Sequence, residues 1–427
     1  RGLRRSAATS PGRLSLIGAG LVVLSLLTGL VGTLAMQDRG ATTDGLVEHR
    51  EPLAAAAQEV HRSLSDADAT AASAFLSPGA ESPELRQRYE RDIAKAGAAL
   101  AKAASDAGST GGAAEQVDII SRQLPTYTGL VETARTNDRQ GYPVGAAYLR
   151  EASQLLRSEI LPAAERLYEI DNDRLAEAQD DAAGVPWVTV VLLLGLAAAL
   201  LYTQAYLRRT TNRVFNVGLL VATGAVGVAV LWTTVALTVQ GVLVSQGRDD
   251  GSEQAGLLVD ARISALRARA DETLTLVARG GGQEYEEEFT EQFGRFAGPD
   301  GEGGLLARAR AEAEDTAAEG PLRSASQAAT AWRSAHERIR ELDDSGNHRQ
   351  AVTSALDTGD DAGAAAAFTR LDNDLADAIG TARQEFVDDT TAASRALTLL
   401  APGFAVLSVV AALGATLGIR ERLREYR

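Results

Sequence analysis

The 427-residue chain contains no cysteine, which excludes disulfides, thiolate metal sites and cysteine nucleophiles at the outset. Any exported domain is then held by its core alone. Histidine is almost as scarce: His49, His61, His336 and His348 are the four, none in an H-x-x-x-H pair, which leaves little for zinc or histidine acid–base chemistry. Lysine occurs only at Lys95 and Lys102, and the one methionine, Met36, ends the first apolar run, so the sequence is expected to lack its native start. Charge is also missing in runs. Residues 14–37, 182–207, 214–247 and 396–419 carry no Asp, Glu, Lys or Arg. Each run is at least as long as the about 20 residues that a membrane-spanning helix needs.

These runs predict an all-α protein with four transmembrane helices, at 14–37, 185–207, 215–244 and 396–419. The first is read as retained, because it exceeds the roughly 7–15 apolar residues of a signal peptide. Orientation follows from the arginines beside the spans. Residues 1–13, the link 208–214 and the tail 420–427 hold 11 basic and 2 acidic residues, a charge of +9, whereas the rest of the chain carries −24 of the total −15. Both termini and the link are therefore expected in the cytoplasm of a plasma-membrane protein, with residues 38–184 and 245–395 outside. The inner segments of this sequence are too short for a kinase, cyclase or nucleotide-binding module.

The two outer segments are nearly equal in length and each is bracketed by spans, a layout that reads as a tandem duplication. Gly145-Ala-Ala-Tyr-Leu-Arg150 weakly echoes Gly363-Ala-Ala-Ala-Ala-Phe-Thr-Arg370. In the first segment apolar residues recur at helical spacing in four stripes, beginning Leu46-Leu53-Ala57-Val60-Leu64, Tyr89-Ile93-Ala96-Leu100, Val117-Ile120-Leu124-Tyr127-Val131 and Leu149-Ala152-Leu156-Ile160. Four such stripes predict a four-helix-bundle-like domain. Turns are expected at 77–82, 108–112 and 137–143, and Ser82 before Pro83 is a candidate N-cap. The second segment is read as a similar bundle whose inner helices are broken at 279–282, 298–304 and 345–347.

No catalytic, cofactor or metal site emerges, and the protein is expected not to be an enzyme. Asp343, Asp344, Asp357, Asp360 and Asp361 form no calcium loop, and the glycine runs at 280–282 and 301–304 match no phosphate-binding pattern. Most carboxylates read as exposed partners of arginine, as in Arg86 with Glu90. The spans hold no ionisable group besides Tyr202 and Tyr206, which disfavours transport by this chain alone. Thr203, Gln204, Thr233, Thr234, Thr238 and Gln240 are read as hydrogen-bonding partners between spans, and Pro162 and Pro402 as passive kinks, with hinges as the alternative. An outer charge of −24 excludes nucleic acid. The remaining candidates are partner-binding: Asp138, Arg139, Tyr142, Asp360 and Asp361 at outer turns, and Arg208, Arg209, Arg213, Arg420, Arg422 and Arg424 on the inner side. Pairing of two copies through the bundles stays open.

An extracytoplasmic bundle running into its spans, with the turn and helix Asp360-Asp-Ala-Gly-Ala-Ala-Ala-Ala-Phe368, resembles the sensing modules of bacterial chemoreceptors and sensor kinases. The protein is expected to lack their cytoplasmic signalling rod. In its layout, and in Gly145-Ala-Ala-Tyr-Leu-Arg-Glu-Ala-Ser-Gln-Leu-Leu-Arg-Ser-Glu-Ile-Leu-Pro-Ala-Ala164, it is similar to the four-pass relay proteins of the actinobacterial amino-acid-sensing pathway. That resemblance implies a protein that senses an amino-acid-binding lipoprotein outside and signals to a serine/threonine protein kinase inside. It carries over no functional residue. The rival readings are a structural scaffold of a cell-envelope complex and an accessory subunit of a transporter.

Overall fold

A computed structural model describes residues 10–77, 82–107, 111–211, 216–314, 316–359 and 363–424. Among these, every regular element is helical. In chain order they are α1 (Ser10–Gly45), α2 (Glu51–Leu76), α3 (Pro83–Ala107), α4 (Gly112–Arg139), α5 (Val144–Leu155), α6 (Leu161–Ala183), α7 (Trp187–Thr211), α8 (Val217–Gln246), α9 (Gln254–Val277), α10 (Gln283–Ala297), α11 (Gly304–Glu312), α12 (Glu319–Asp344), α13 (His348–Leu356), α14 (Ala364–Thr398) and α15 (Leu400–Arg424). Wide π-helical turns at Leu46–Arg50, Leu156–Ile160 and Gly247–Glu253 join α1 to α2, α5 to α6 and α8 to α9. The first two end two residues before Pro52 and Pro162. Proline has no N–H and its ring crowds the carbonyl four residues back, so the helix widens ahead of it. Pro402 acts likewise: α14 and α15 are separated at Leu399.

The chain divides into two units. The apolar one comprises Arg1–Val47, Ala178–Gln246 and Asp388–Arg427. In it α15 packs against α1 and α8, and α7 packs against the same two helices. Its interior is made by Leu21, Leu196, Leu200, Leu219, Ala222 and Ala415, with Met36 and Phe404 farther along. The outer face is equally apolar: Leu30 is 63 % exposed, Val191 63 %, Leu231 67 % and Leu417 62 %. A helix layer with leucine and valine on both faces is built for a hydrocarbon surround. Four helical stretches, Gly12–Leu76, Val144–Arg209, Val217–Val277 and Ala364–Glu421, contain segments long and apolar enough to cross a membrane.

Small residues set the closest approach in this unit. A Cβ on Gly414 would lie 2.6 Å from the Gly218 carbonyl oxygen, so the backbones of α8 and α15 touch there. Gly414 and Gly418 stand four apart on α15, a spacing that lets membrane helices meet at backbone distance. Asn216 caps α8 by accepting from the Gly218 N–H (3.1 Å) and donates to the Gly418 carbonyl (2.7 Å). Of the polar residues expected to join spans, Gln204 does so, donating to Thr223 Oγ1 (2.7 Å) on α8, and Gln240 donates to the Ala182 carbonyl (2.8 Å). Thr203, Thr233, Thr234 and Thr238 do not join spans through their donated bonds. Each gives its hydroxyl proton to the carbonyl four residues back in its own helix, the local alternative open to a β-hydroxyl.

The second unit comprises Glu48–Glu177 and Gly247–Val387. Its two cores follow the two sequence segments. One is built by Leu64, Tyr127, Val131, Leu149, Leu156 and Leu167 on α2 to α6; the other by Phe289, Phe293, Phe296, Trp332, Phe368 and Leu375 on α10, α12 and α14. Trp332 meets the phenyl rings of Phe289 and Phe293 edge-on, with ring centroids 5.7 and 5.5 Å apart. The expected domains in tandem are therefore two cores in a single unit, because α2 and α9 pack against each other. Residues 63–72 of α2 and 268–277 of α9 are buried around the whole helix circumference. Val277 of α9 even joins the core of the first segment.

Turn chemistry explains most of the helix ends. The Ser82 hydroxyl accepts from the Glu84 N–H (3.2 Å) and caps α3. Between α4 and α5, Gly141 supplies a φ of 75°, and Gly145 has no room for a side chain, since a Cβ would sit 2.9 Å from the Ala134 carbonyl. The expected breaks at 279–282, 298–304 and 345–347 fall between helices, giving six helices in the second segment among the described residues. A further break follows Ala313, ahead of Gly320-Pro321 in the first turn of α12; Thr316 turns the chain there, accepting from the Ala318 N–H (3.2 Å) and donating to the Ala313 carbonyl (3.0 Å).

Candidate functional site: a charged cleft on the polar unit

The helices that bury α2 and α9 also bury charge. Asp66, Asp68, Arg269, Asp271 and Glu272 all have low exposure, and groups of this kind persist inside a protein only when paired and hydrogen-bonded. Glu272 is bonded to Arg269, to Trp332 Nε1 (3.2 Å) and to His336 Nδ1 (3.0 Å), and His336 reaches Glu286 through Nε2 (3.0 Å). Burial opposes the charge on His336, but its two carboxylate partners outweigh that and raise its pKa. Asp66 pairs with Arg88 (2.8 Å). Asp92 is pushed up to about 7 by burial and by the Asp66 charge. His61, buried and facing Arg267 at 3.0 Å, is driven down to about 3 by desolvation and that neighbouring cation.

The third cluster opens to the surface. Arg157 sits in the π turn Leu156–Ile160 and reaches from the first segment to the second, pairing with Asp271 and with Glu288 (2.7 Å). Its Nε lies 4.0 Å from Asp68, which also accepts from Ser153 Oγ (2.7 Å) and Tyr127 OH (3.4 Å). Three carboxylates thus surround one guanidinium. Burial pushes the Asp271 carboxyl up to about 7; Arg157 opposes that rise and Glu288 adds to it. Asp68 is also raised by burial, against the pull of Arg157 and its hydrogen bonds. The Nη2 of Arg157 is buried with no hydrogen-bond partner among the described residues.

Arg157 forms part of the wall of an open cleft of about 530 Å³. One wall is the helical face that carries Arg150, Ser153, Gln154 and Arg157, at spacings of three and four that bring them to one side. The other is the first two turns of α10, with Glu284, Tyr285 and Glu288. Arg150, Gln154 and Glu284 are exposed, Tyr285 and Glu288 half-buried. Among the described residues, no group of three or more His, Asp or Glu is placed to hold a metal ion.

The residues singled out from sequence lie elsewhere. Asp138, half-buried, has its carboxyl raised by partial burial at the end of α4; Arg139 and Tyr142 are exposed beside it, Tyr142 at 55 %. Arg208, Arg209 and Arg420 are exposed on the last turns of α7 and α15. Asp360, Asp361 and Arg213 lie outside the described residues, as do the side chains of Arg422 and Arg424. Sequence reasoning missed the cleft and the buried charges. Part of the signal was there: residues 63–74 of α2 contain Ser, Asp and Thr but no Glu, Lys or Arg, and a water-facing helix would use the longer side chains.

Fold and site together define a helical membrane protein whose polar unit carries a salt-bridged cleft. Residues 42–180 match the family model described as the actinobacterial sensor domain. No curated protein and no solved structure matches the chain. The matched residues hold the wall with Arg150, Ser153 and Arg157 and stop short of α10. Together with the four apolar helices, the match supports a membrane sensor of actinobacterial type.

Proposed function

We propose that the protein is a non-enzymatic transmembrane relay. Its polar unit lies outside the cell, and residues 1–13, 208–214 and 420–427 lie in the cytoplasm. The signal it reads is amino-acid availability, presented by a solute-binding lipoprotein. It is handed to a cytosolic serine/threonine kinase through Arg208, Arg209, Arg213, Arg420, Arg422 and Arg424. One observation carries the reading: a sensor-domain match over 42–180 in a chain with four helical stretches long and apolar enough to cross a membrane.

A relay needs two packings that a ligand or partner favours unequally. The polar unit offers a joint that could be repacked, since the pairs Arg157–Glu288, Arg267–Glu165 (3.4 Å) and Arg383–Glu51 (3.6 Å) link its two sequence segments. No step requires a cofactor or a metal, and two copies pairing through the polar unit would be compatible with it. The test is in-cell photo-crosslinking from Tyr142 and from Arg420. The relay predicts capture of a solute-binding protein at the first position and a kinase at the second; recovery of neither contradicts it. Replacing the turn 137–142 should abolish the downstream amino-acid response with assembly intact, whereas loss of assembly instead would favour a scaffold.

A further inference from the structure

We propose that the cleft between the Arg150–Arg157 face and the first two turns of α10 is itself a binding site for a small zwitterion, a molecule carrying both a carboxylate and an ammonium group. The inference rests on the sensor reading and supplies its ligand class. Three observations carry it. The cleft, at about 530 Å³, has the volume of a small-molecule site. Its charges are arranged in opposed sets. Arg150 is exposed and makes no ion pair or hydrogen bond among the described residues, and the neighbouring Arg157 keeps a buried Nη2 without a partner. A buried guanidinium N–H left unsatisfied costs on the order of 1–3 kcal/mol, so an acceptor brought to it is favoured. Across the cleft, Glu284 is exposed and likewise without an ion pair or hydrogen bond among the described residues, and Glu288 is shared with Arg157.

Charge complementarity then narrows the ligand. A plain anion would be drawn to Arg150 and repelled by Glu151, Glu284 and Glu288; a plain cation would meet the reverse. A zwitterion places its carboxylate at Arg150 and Arg157 and its ammonium at Glu284, with the half-buried ring of Tyr285 beside it. α-Amino acids are the commonest molecules of that description. Because Arg157 joins the two sequence segments through Asp271 and Glu288, a carboxylate beside its guanidinium adds a third anion to those pairs and changes their balance. Occupancy would thereby bias the packing of α5 and α6 against α9 and α10.

The experiment is isothermal titration of the full chain in lipid nanodiscs with the common L-amino acids, one at a time. At least one should bind. Its N-acetyl and its amide derivatives should not, and Arg150→Gln and Glu284→Gln should each weaken it by about tenfold or more, which is about 1.4 kcal/mol. Both side chains are exposed and make no ion pair or hydrogen bond among the described residues, so the variants should keep the wild-type melting temperature. Absence of binding by every amino acid, or binding that both variants leave unchanged, overturns the proposal. The purified chain has no partner protein present, so a negative titration counts against the cleft alone, while the crosslinking to outer and inner partners stands or falls separately.

Discussion

Arg157 shows what a single residue does here. One guanidinium faces Asp68, Asp271 and Glu288, and only part of that negative charge is compensated. Removing it with Arg157→Met leaves buried carboxylates unpaired and should destabilise the polar unit by about 3–5 kcal/mol, read as a fall in the melting temperature of the full chain. Asp271 gives a pH signature. Its carboxyl titrates near 7 in the folded unit and at the ordinary value of 3.8 when unfolded, so between those limits the folded state holds the extra proton. Stability contributed by this group therefore falls as pH rises through that window, at a slope of at most about 1.4 kcal/mol per pH unit. Asp271→Asn has no such loss. The melting temperature of the variant relative to wild type should be more favourable at pH 8 than at pH 5, and a difference independent of pH would contradict the assignment. His61 works in the opposite sense in both proteins, since it stays neutral down to about 3, and it cancels in the comparison. These buried charges were hard to read from sequence because a carboxylate looks alike on a helix stripe whether water or a second helix covers it.

Helices were the more legible level. Apolar spacing placed the stripes of α2 to α6, and Gly and Pro placed the breaks at 279–282, 298–304 and 345–347. What escaped was the Thr316 turn after Ala313, although Gly320-Pro321 follows it, and the four threonines that bond to their own helix, which no spacing marks. The contact of α8 with α15 also passed unnoticed, although Gly414 and Gly418 stand at the spacing that permits it. It yields a sharp contrast between two glycines. Gly414→Leu must force the backbones apart and should lower stability by more than about 2 kcal/mol, measured as loss of resistance to denaturing detergent. Gly224→Ala, with nothing within 4 Å of the added methyl, should change it by less than about 0.5 kcal/mol.

At the scale of the molecule, the four apolar runs were unmistakable, because about 20 uncharged residues have few other uses. The joining of the two polar segments was not. Each segment has its own apolar stripes and its own core, and nothing in the letters says that α2 and α9 bury their remaining faces against each other. The cleft follows from that joining and was invisible for the same reason: Arg150 and Glu284 are distant in sequence and meet only across the α5–α10 cleft. The relay rests on the polar unit lying outside the cell with the arginine-rich ends inside. The absence of cysteine makes this directly measurable, since one introduced thiol is the only one in the chain. Tyr142→Cys and Arg209→Cys place it at exposed positions in the polar unit and at the end of α7. Treated in intact cells with a membrane-impermeant maleimide, the thiol at position 142 should label at once and that at 209 only after permeabilisation; the reverse pattern would contradict the relay.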